Sequence, residues 1–219
     1  PVAAYPSYKH ENLKVIPSHS SALEKIEAND IKLNLSYEDL LDVPSKFFNP
    51  EKMGKAGFDL VIVDTAPALS PTTLGFIRAS THILMPFQLE EKSCEGLNAM
   101  LHSVHEQNEL KPRSRQSKIV GLLPNQKNWN KRVDQEMQRE KLLDSSYIKT
   151  YLMPFDLRDA RDMSKIDKKG ADLEMPFYGL HHKSMLREDA IDICNYVFSK
   201  IGFKDQVSEN GLFNQEQMA

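Results

Sequence analysis

The chain has 219 residues, of which 40% are hydrophobic and 27% charged, proportions of an ordinary globular protein that exclude collagen-like, disulfide-scaffold and disordered classes. Its 28 basic and 31 acidic residues give a formal net charge of −3, so any binding of nucleic acid must come from a local basic patch. No apolar run approaches the ~20 residues that span a bilayer, and no signal segment opens the chain, so we expect a soluble, cytoplasmic protein.

The first quarter of the chain predicts few regular elements. An apolar run predicts a strand over 13–16, and a helix is expected to follow over 21–28. Residues 30–57 contain Pro44, Pro50 and two glycines, which predicts irregular structure with one short helix near 37–41.

The clearest element is the run Phe-Asp-Leu-Val-Ile-Val at residues 58–63. Its apolar and β-branched residues show little alternation, which is typical of a strand covered on both faces. The sequence therefore predicts a central parallel strand that ends at Asp64.

Strands and helices then alternate along the rest of the chain. Ser70 followed by Pro71 predicts a helix that ends near residue 79, because serine caps helices and proline suits the first helical position. The expected elements that follow are strands over 82–86, 119–124 and 148–153, helices over 93–107 and 131–143, and a long amphipathic helix from Met185 to Ile201. This alternation predicts an α/β fold with a mostly parallel sheet and helices on both faces, in one domain over 1–204, with a disordered polar tail over 205–219.

Ligands of such sheets bind beyond the carboxyl ends of the strands. That rule selects four groups of residues, at 64–67, 88–91, 125–126 and 154–156. Among them Asp64 has a carboxylate that can order a hydrated Mg²⁺ beside substrate phosphates. The same pattern is also expected of an aspartate that merely caps a turn.

Four blocks, in the correct order, resemble the ParA/MinD/Soj family of deviant Walker P-loop ATPases. Residues 58–71 resemble the Walker B and switch II segment. Leu-Met-Pro-Phe-Gln-Leu-Glu at 84–90, with Glu-Gly-Leu at 95–97, is similar to a block near the family's dimer interface. Gly-Leu-Leu-Pro-Asn at 121–125 and Met-Pro-Phe-Asp-Leu-Arg at 153–158 are similar to the two segments that flank adenine.

The resemblance implies an ATPase that forms a homodimer on binding ATP and Mg²⁺, takes part in plasmid or chromosome partition, and is stimulated by a ParB-like partner. Asp64 would hold Mg²⁺ through water and act in catalysis. The nucleotide would be contacted by Thr65, Pro67, Asn125, Pro154, Phe155 and Asp156.

The family's phosphate-binding loop, Lys-Gly-Gly-x-Gly-Lys-Thr, and its Asp-x-Asp switch I segment do not occur in the chain. Gly54-Lys55 does not replace the loop, because Asn49 and Ala56 stand where a glycine and a Ser or Thr are required. We therefore expect the chain to be the carboxyl-terminal two-thirds of an ATPase domain, incomplete at its amino terminus. The alternative is a non-catalytic interaction module that keeps the fold.

Basic residues flank the predicted strand at 119–124 and are candidates for nonspecific DNA contact near the nucleoid. They are Arg113, Arg115 and Lys118 before it, and Lys127, Lys131 and Arg132 after it. The alternative is a pair of solvated loops. Arg158 is expected to form local ion pairs with neighbouring aspartates such as Asp156. A MinD-like membrane-surface ATPase is a further alternative, but the acidic, amide-rich tail argues against it, and we expect no membrane contact.

Overall fold

The computed structural model describes residues 5–6, 13–16, 36–66, 68–125, 131–158 and 185–203. The predicted helix over 21–28 and the predicted tail over 205–219 lie outside these residues. The strands are β1 (Tyr5–Pro6), β2 (Lys14–Val15), β3 (His82–Gln88) and β4 (Lys118–Asn125). The helices are α1 (Tyr37–Phe47), α2 (Pro50–Lys55), α3 (Pro71–Ala79), α4 (Glu91–Glu109), α5 (Arg132–Asp144), α6 (Ser146–Lys149) and α7 (Met185–Ile201), with a 3₁₀ turn at Arg113–Arg115.

The centre of the fold is the parallel pair of β3 and β4. Their register runs from His82 opposite Lys118 to Gln88 opposite Asn125, with one irregularity between Ile83 and Leu84. The backbone N–H and C=O of Leu122 both bond to the segment 151–153, whose Leu152 forms a parallel bridge with Leu122. Strand β4 is therefore flanked on both of its edges.

Helices cover both faces of this pair. Successive residues of a strand point to opposite faces, so neighbouring residues of β4 pack against different helices. Leu122 belongs to a core with Met85 and with residues of α4, including Leu101. Leu123, the next residue, packs in a second cluster with Ile193 of α7. The prediction of a layered α/β fold with a parallel sheet between helices is confirmed.

Helices α1 and α3 pack closely against each other. A Cβ placed on Gly75 of α3 would lie 2.8 Å from the carbonyl oxygen of Leu41 and 3.0 Å from the ring of Pro44. Arg78 adds ion pairs to Glu38 and Asp42 at 3.1 and 2.9 Å. Helix α1 is thus longer than the short helix predicted near 37–41, and it continues past Pro44 to Phe47.

Helix α2 lies where irregular structure was predicted. Its cap is the side chain of Asn49, which accepts a hydrogen bond from the Lys52 amide, and Pro50 occupies the first turn. The same polar-cap-then-proline pattern correctly predicts α3 at Ser70-Pro71. The helix was missed because Gly54 and Gly57 were interpreted as turn residues, and only Gly57, with a φ of 82°, has the left-handed conformation.

Two predicted strands are wrong. Residues 58–66 have no regular secondary structure, and Ile62 is 84% exposed. An apolar run forms a strand only when a neighbouring strand takes its backbone hydrogen bonds, and neither described sheet includes this run.

The strand expected over 148–153 is instead the helix α6 followed by the single bridge at Leu152. Strand β2 confirms the prediction at 13–16, in an antiparallel pair with β1.

Candidate functional site

The carboxyl ends of β3 and β4 form a polar rim. Gln88 and Asn125, the last residues of the two strands, are register partners and therefore lie side by side. The backbone N–H of Leu157 donates to the carbonyl oxygen of Pro124 at 2.8 Å, which brings the loop 153–157 beside the end of β4. Three of the four strand-end groups selected from the sequence thus meet along one edge of the sheet.

Arg139 of α5 holds the loop 153–157 at two points. Its Nη1 donates to Oδ1 of Asp156, and its Nη2 donates to the carbonyl oxygen of Met153 at 3.2 Å. The side chains of Arg139 and Asp156 are only 24% and 13% exposed. One oxygen of Asp156, a residue predicted to contact the nucleotide, is therefore engaged by the protein itself.

Arg158, directly after this loop, is held by α7. Its Nε and Nη2 donate to the two carboxylate oxygens of Asp189 at 2.5 and 2.7 Å. This hydrogen bonding to Asp189 raises the pKa of Arg158. Arg158 thus pairs with an aspartate of a helix distant in sequence and not with the neighbouring Asp156. Asp159, Arg161 and Asp162, the other residues of the expected local ion pairs, lie outside the described residues.

A second ion pair crosses the rim. Nζ of Lys131, before α5, lies 2.8 Å from Oε1 of Glu90, just beyond β3. The hydrogen bond to Glu90 raises the pKa of Lys131. Arg132 pairs with Glu136 one turn along α5, at 2.8 Å. Two of the cations proposed for DNA contact after β4 thus have carboxylate partners within the protein.

The two basic groups lie at opposite ends of β4. Lys118 is the first residue of the strand, and Arg113 and Arg115 are exposed in the 3₁₀ turn before it. At about 3.3 Å per residue, Lys118 and Asn125 are separated by roughly 23 Å of strand. The Lys131 group is adjacent to the polar rim, and the Arg113 group is at the far end.

Asp64 and Thr65 lie in the irregular segment 58–66 and are exposed. The structure does not include them in the sheet that forms the rim. Pro67 and Lys127, the remaining predicted site residues, lie outside the described residues.

A magnesium ion held through water would need few protein ligands. Among the described residues, no three His, Cys, Asp or Glu side chains cluster as a metal site would. Magnesium keeps several waters and needs only one or two protein carboxylates beside substrate phosphates. The exposed carboxylate of Asp64 has the chemistry for such a role, in a segment that is not part of the sheet that forms the rim.

Sequence reasoning did not select Arg139 as a site residue. It lies in a polar helix among other charged side chains, and its partners Met153 and Asp156 are 14 and 17 residues away. No local spacing rule identifies such a pair.

Across the part of the chain that the structure describes, no helix is both long enough and apolar enough to cross a membrane.

The parallel sheet, its two helical layers and the polar rim at its carboxyl edge define a layered α/β domain. A family model described as an AAA domain matches residues 3–119, more than half of the 219 residues. The chain belongs to this family, among its ParA/MinD-type P-loop ATPases.

Proteins that are similar to parts of the chain include two curated relatives and a solved structure. The chromosome-partitioning ATPase Soj of Thermus thermophilus is 35% identical over 74 residues, which are 33% of this chain and 28% of Soj. Protein IncC of Escherichia coli is 26% identical over 106 residues, 48% of this chain and 28% of IncC. The matches thus span just over a quarter of each relative. The structure of apo McdA from Cyanthece has a TM-score of 0.55 at 18% identity, over 85% of this chain and 71% of McdA, and shows the fold alone.

Proposed function

We propose that the intact protein is a ParA-type ATPase that forms a homodimer with ATP and Mg²⁺ and acts in the partition of plasmid or chromosomal DNA. The observation that carries the proposal is the polar rim, where Gln88, Asn125 and the loop 153–157 meet at the carboxyl ends of parallel strands. Ligands of α/β sheets bind at this edge. The similarity to Soj, a chromosome-partitioning ATPase, supports the same assignment.

Each predicted site residue has a role in this proposal. Asn125 and the loop residues Pro154, Phe155 and Asp156 hold the adenine base at the rim. Asp64 orders the water shell of Mg²⁺, and Thr65 and Pro67 shape the turn beside the phosphates. ATP supplies the phosphoryl group that is transferred to water, and Mg²⁺ neutralises charge on the phosphate oxygens.

The partners follow from the same proposal. A ParB-like protein stimulates turnover, and the dimer binds DNA without sequence preference in the cytoplasm, at the nucleoid. Arg113, Arg115 and Lys118 are the better candidates for phosphate contact, because Lys131 and Arg132 are already paired with Glu90 and Glu136. Binding through a few such contacts weakens strongly with added salt.

The first test is the substitution Asp64→Asn in the intact protein, which removes the charge and keeps the size. Magnesium-dependent ATP turnover should fall at least ~100-fold, the order of loss seen when one transition-state electrostatic contact is removed. Phosphate release and the unfolding midpoint should both be measured, and the midpoint should not change because Asp64 is exposed.

The matched control is Asp59→Asn, five residues earlier in the same irregular segment and also exposed. It should keep wild-type turnover. Equal activities of wild type and Asp64→Asn would show that Asp64 is not the magnesium residue. A wild-type protein that neither binds nor hydrolyses ATP would reject the proposed function.

A further inference from the structure

Arg139 of α5 forms hydrogen bonds to two separate points of the loop 153–157. Its guanidinium reaches the carbonyl oxygen of Met153, where the loop begins, and the carboxylate of Asp156, three residues later. A guanidinium can do this because its donors point in fixed, divergent directions. The loop between these two points is thereby held against α5.

The contact is protected from solvent. Arg139 and Asp156 are 24% and 13% exposed, and Met153 is fully buried at 0%. Charge-assisted hydrogen bonds in such surroundings are stronger than ordinary ones and fix geometry. Exposed pairs such as Arg132 with Glu136, at 55% and 51% exposure, contribute little order by comparison.

The loop has other attachments that do not depend on Arg139. Leu157 donates its N–H to Pro124, and Arg158 is bound in a bidentate manner by Asp189. Met153 is also held by its own N–H, which donates to the carbonyl oxygen of Leu122 at 3.0 Å. Loss of Arg139 should therefore loosen residues 154–156 while both ends of the loop stay in place. The effect of Arg139 is on the position of the loop rather than on the existence of the fold.

We propose that Arg139 is a positioning residue that sets the base selectivity of the nucleotide site by holding the loop 153–157 in one conformation. The inference rests on the proposed function, in which this loop contacts the base. Asp156 takes part in both proposals, because one of its carboxylate oxygens accepts from Arg139 while the residue belongs to the loop that contacts the base.

The physical reason is the hydrogen-bonding pattern of purines. Adenine offers a donor at N6 and an acceptor at N1, whereas guanine offers an acceptor at O6 and a donor at N1. A loop of fixed conformation matches one pattern and leaves unpaired polar groups against the other. A loosened loop can turn its peptide groups to suit either base, so selectivity falls.

The experiment measures dissociation constants of the intact wild-type protein and its variants for ATP, GTP and inorganic tripolyphosphate, with Mg²⁺. The variants are Arg139→Gln and Arg139→Lys, with Lys141→Gln as the control, an exposed lysine on the same helix. Wild type should prefer ATP. Arg139→Gln should lower the preference for ATP over GTP by about ten-fold, the scale expected for one mismatched polar contact.

Arg139→Lys should restore only part of the preference, because one ammonium cannot span both partners. Lys141→Gln should retain all of it. The affinity for tripolyphosphate should be the same in all variants, since that ligand has no base. If Arg139→Gln does not fold, Arg139→Lys carries the test, and a partial loss of the preference is the expected result.

Each outcome separates the two proposals. A wild-type protein that binds no ATP overturns the proposed function and this inference together. A wild-type protein that binds ATP, with either no preference over GTP or a preference that both Arg139→Gln and Arg139→Lys retain in full, overturns the inference and leaves the proposed function standing. An equal loss of affinity for ATP, GTP and tripolyphosphate also overturns it, because that result indicates general damage.

Discussion

Two apolar segments of similar composition, residues 58–63 and 119–124, have opposite environments in this molecule. In the second, which belongs to β4, Leu122 is 0% and Leu123 is 4% exposed. In the first, Leu60 is 42% and Ile62 is 84% exposed, and the backbone has no regular structure. Strand β4 has β3 on one edge, the segment 151–153 on the other, and helices on both faces.

The difference shows that an apolar, β-branched run does not form a strand through its own preferences. Strand propensity mostly measures how well side chains pack against neighbouring strands and covering layers. Backbone groups also need partners before they can leave water. Segment 119–124 has those neighbours among the described residues, and segment 58–63 belongs to neither described sheet.

The largest expected effect comes from truncating one large apolar side chain in each segment. Leu122→Ala should lower the free energy of unfolding by about 3 kcal/mol, because it leaves a cavity in the core. Ile62→Ala should change it by less than about 0.5 kcal/mol, because that side chain is exposed. Urea unfolding followed by circular dichroism measures both. Similar losses in the two variants would mean that segment 58–63 is buried in solution, which would break the comparison.

A smaller effect is expected from crowding the second edge of β4. A Cβ at Gly121 would overlap Cγ of the buried Met153 and lie 2.9 Å from its Sδ. Gly121→Ala should therefore cost about 2 kcal/mol, the usual scale of overpacking, and should disturb the rim loop that follows Met153.

Gly96 of α4 is the control for this substitution, because nothing lies within 4 Å of a Cβ placed there. Gly96→Ala should stabilise the protein by up to about 1 kcal/mol, since alanine is the better helix former. A Gly121→Ala protein as stable as wild type would indicate that segment 151–153 does not pack against β4 in solution.

The smallest effect concerns the other end of β4, where Lys111 donates to Ser117 Oγ at 2.7 Å and to the carbonyl oxygen of Ile77 at 3.3 Å. Burial, with a contribution from nearby Arg78, lowers the pKa of Lys111 from 10.5 to about 8. The folded state therefore releases the proton first, and the unfolded state binds more protons between about pH 8 and 10.5. The contribution of this group to the free energy of unfolding should therefore rise as pH increases from about 8 to 10.5. This gain is lost as pH falls back through that range, and none of it remains once the pH is well below 8.

Lys111→Met removes the titration, so the stability of wild type relative to this variant should increase from pH 7.5 to 10. The increase should stay below about 1 kcal/mol, because the half-exposed amine is screened by water. Lys92→Met, an exposed lysine of α4, is the control and should show no such trend in urea unfolding. A flat difference between wild type and Lys111→Met would mean that the ammonium group is not buried in solution.

Much of the fold and part of the site were predictable from the residues. The alternation of apolar runs with capped helical segments predicted α3, β3, α4, β4, α5 and α7, because these elements have clear local signals. The strand-end rule predicted that Asn125 and the loop at Pro154 would lie at one rim. Helix α2 was missed although Asn49 and Pro50 carry a cap signal, and α1 continues through Pro44 because Gly75 lets the two helices approach.

The sequence by itself determined the class of the fold, the order of its elements and the residues that follow its strands. These features depend on local conformational preferences and on the spacing of apolar residues, both of which can be recognised within short segments of the sequence. Only the tertiary structure decided which apolar run becomes a paired strand, and that Arg139 holds Asp156 while Asp189 holds Arg158. Such choices depend on groups that are far apart in the chain, because burial and pairing exist only once those groups meet.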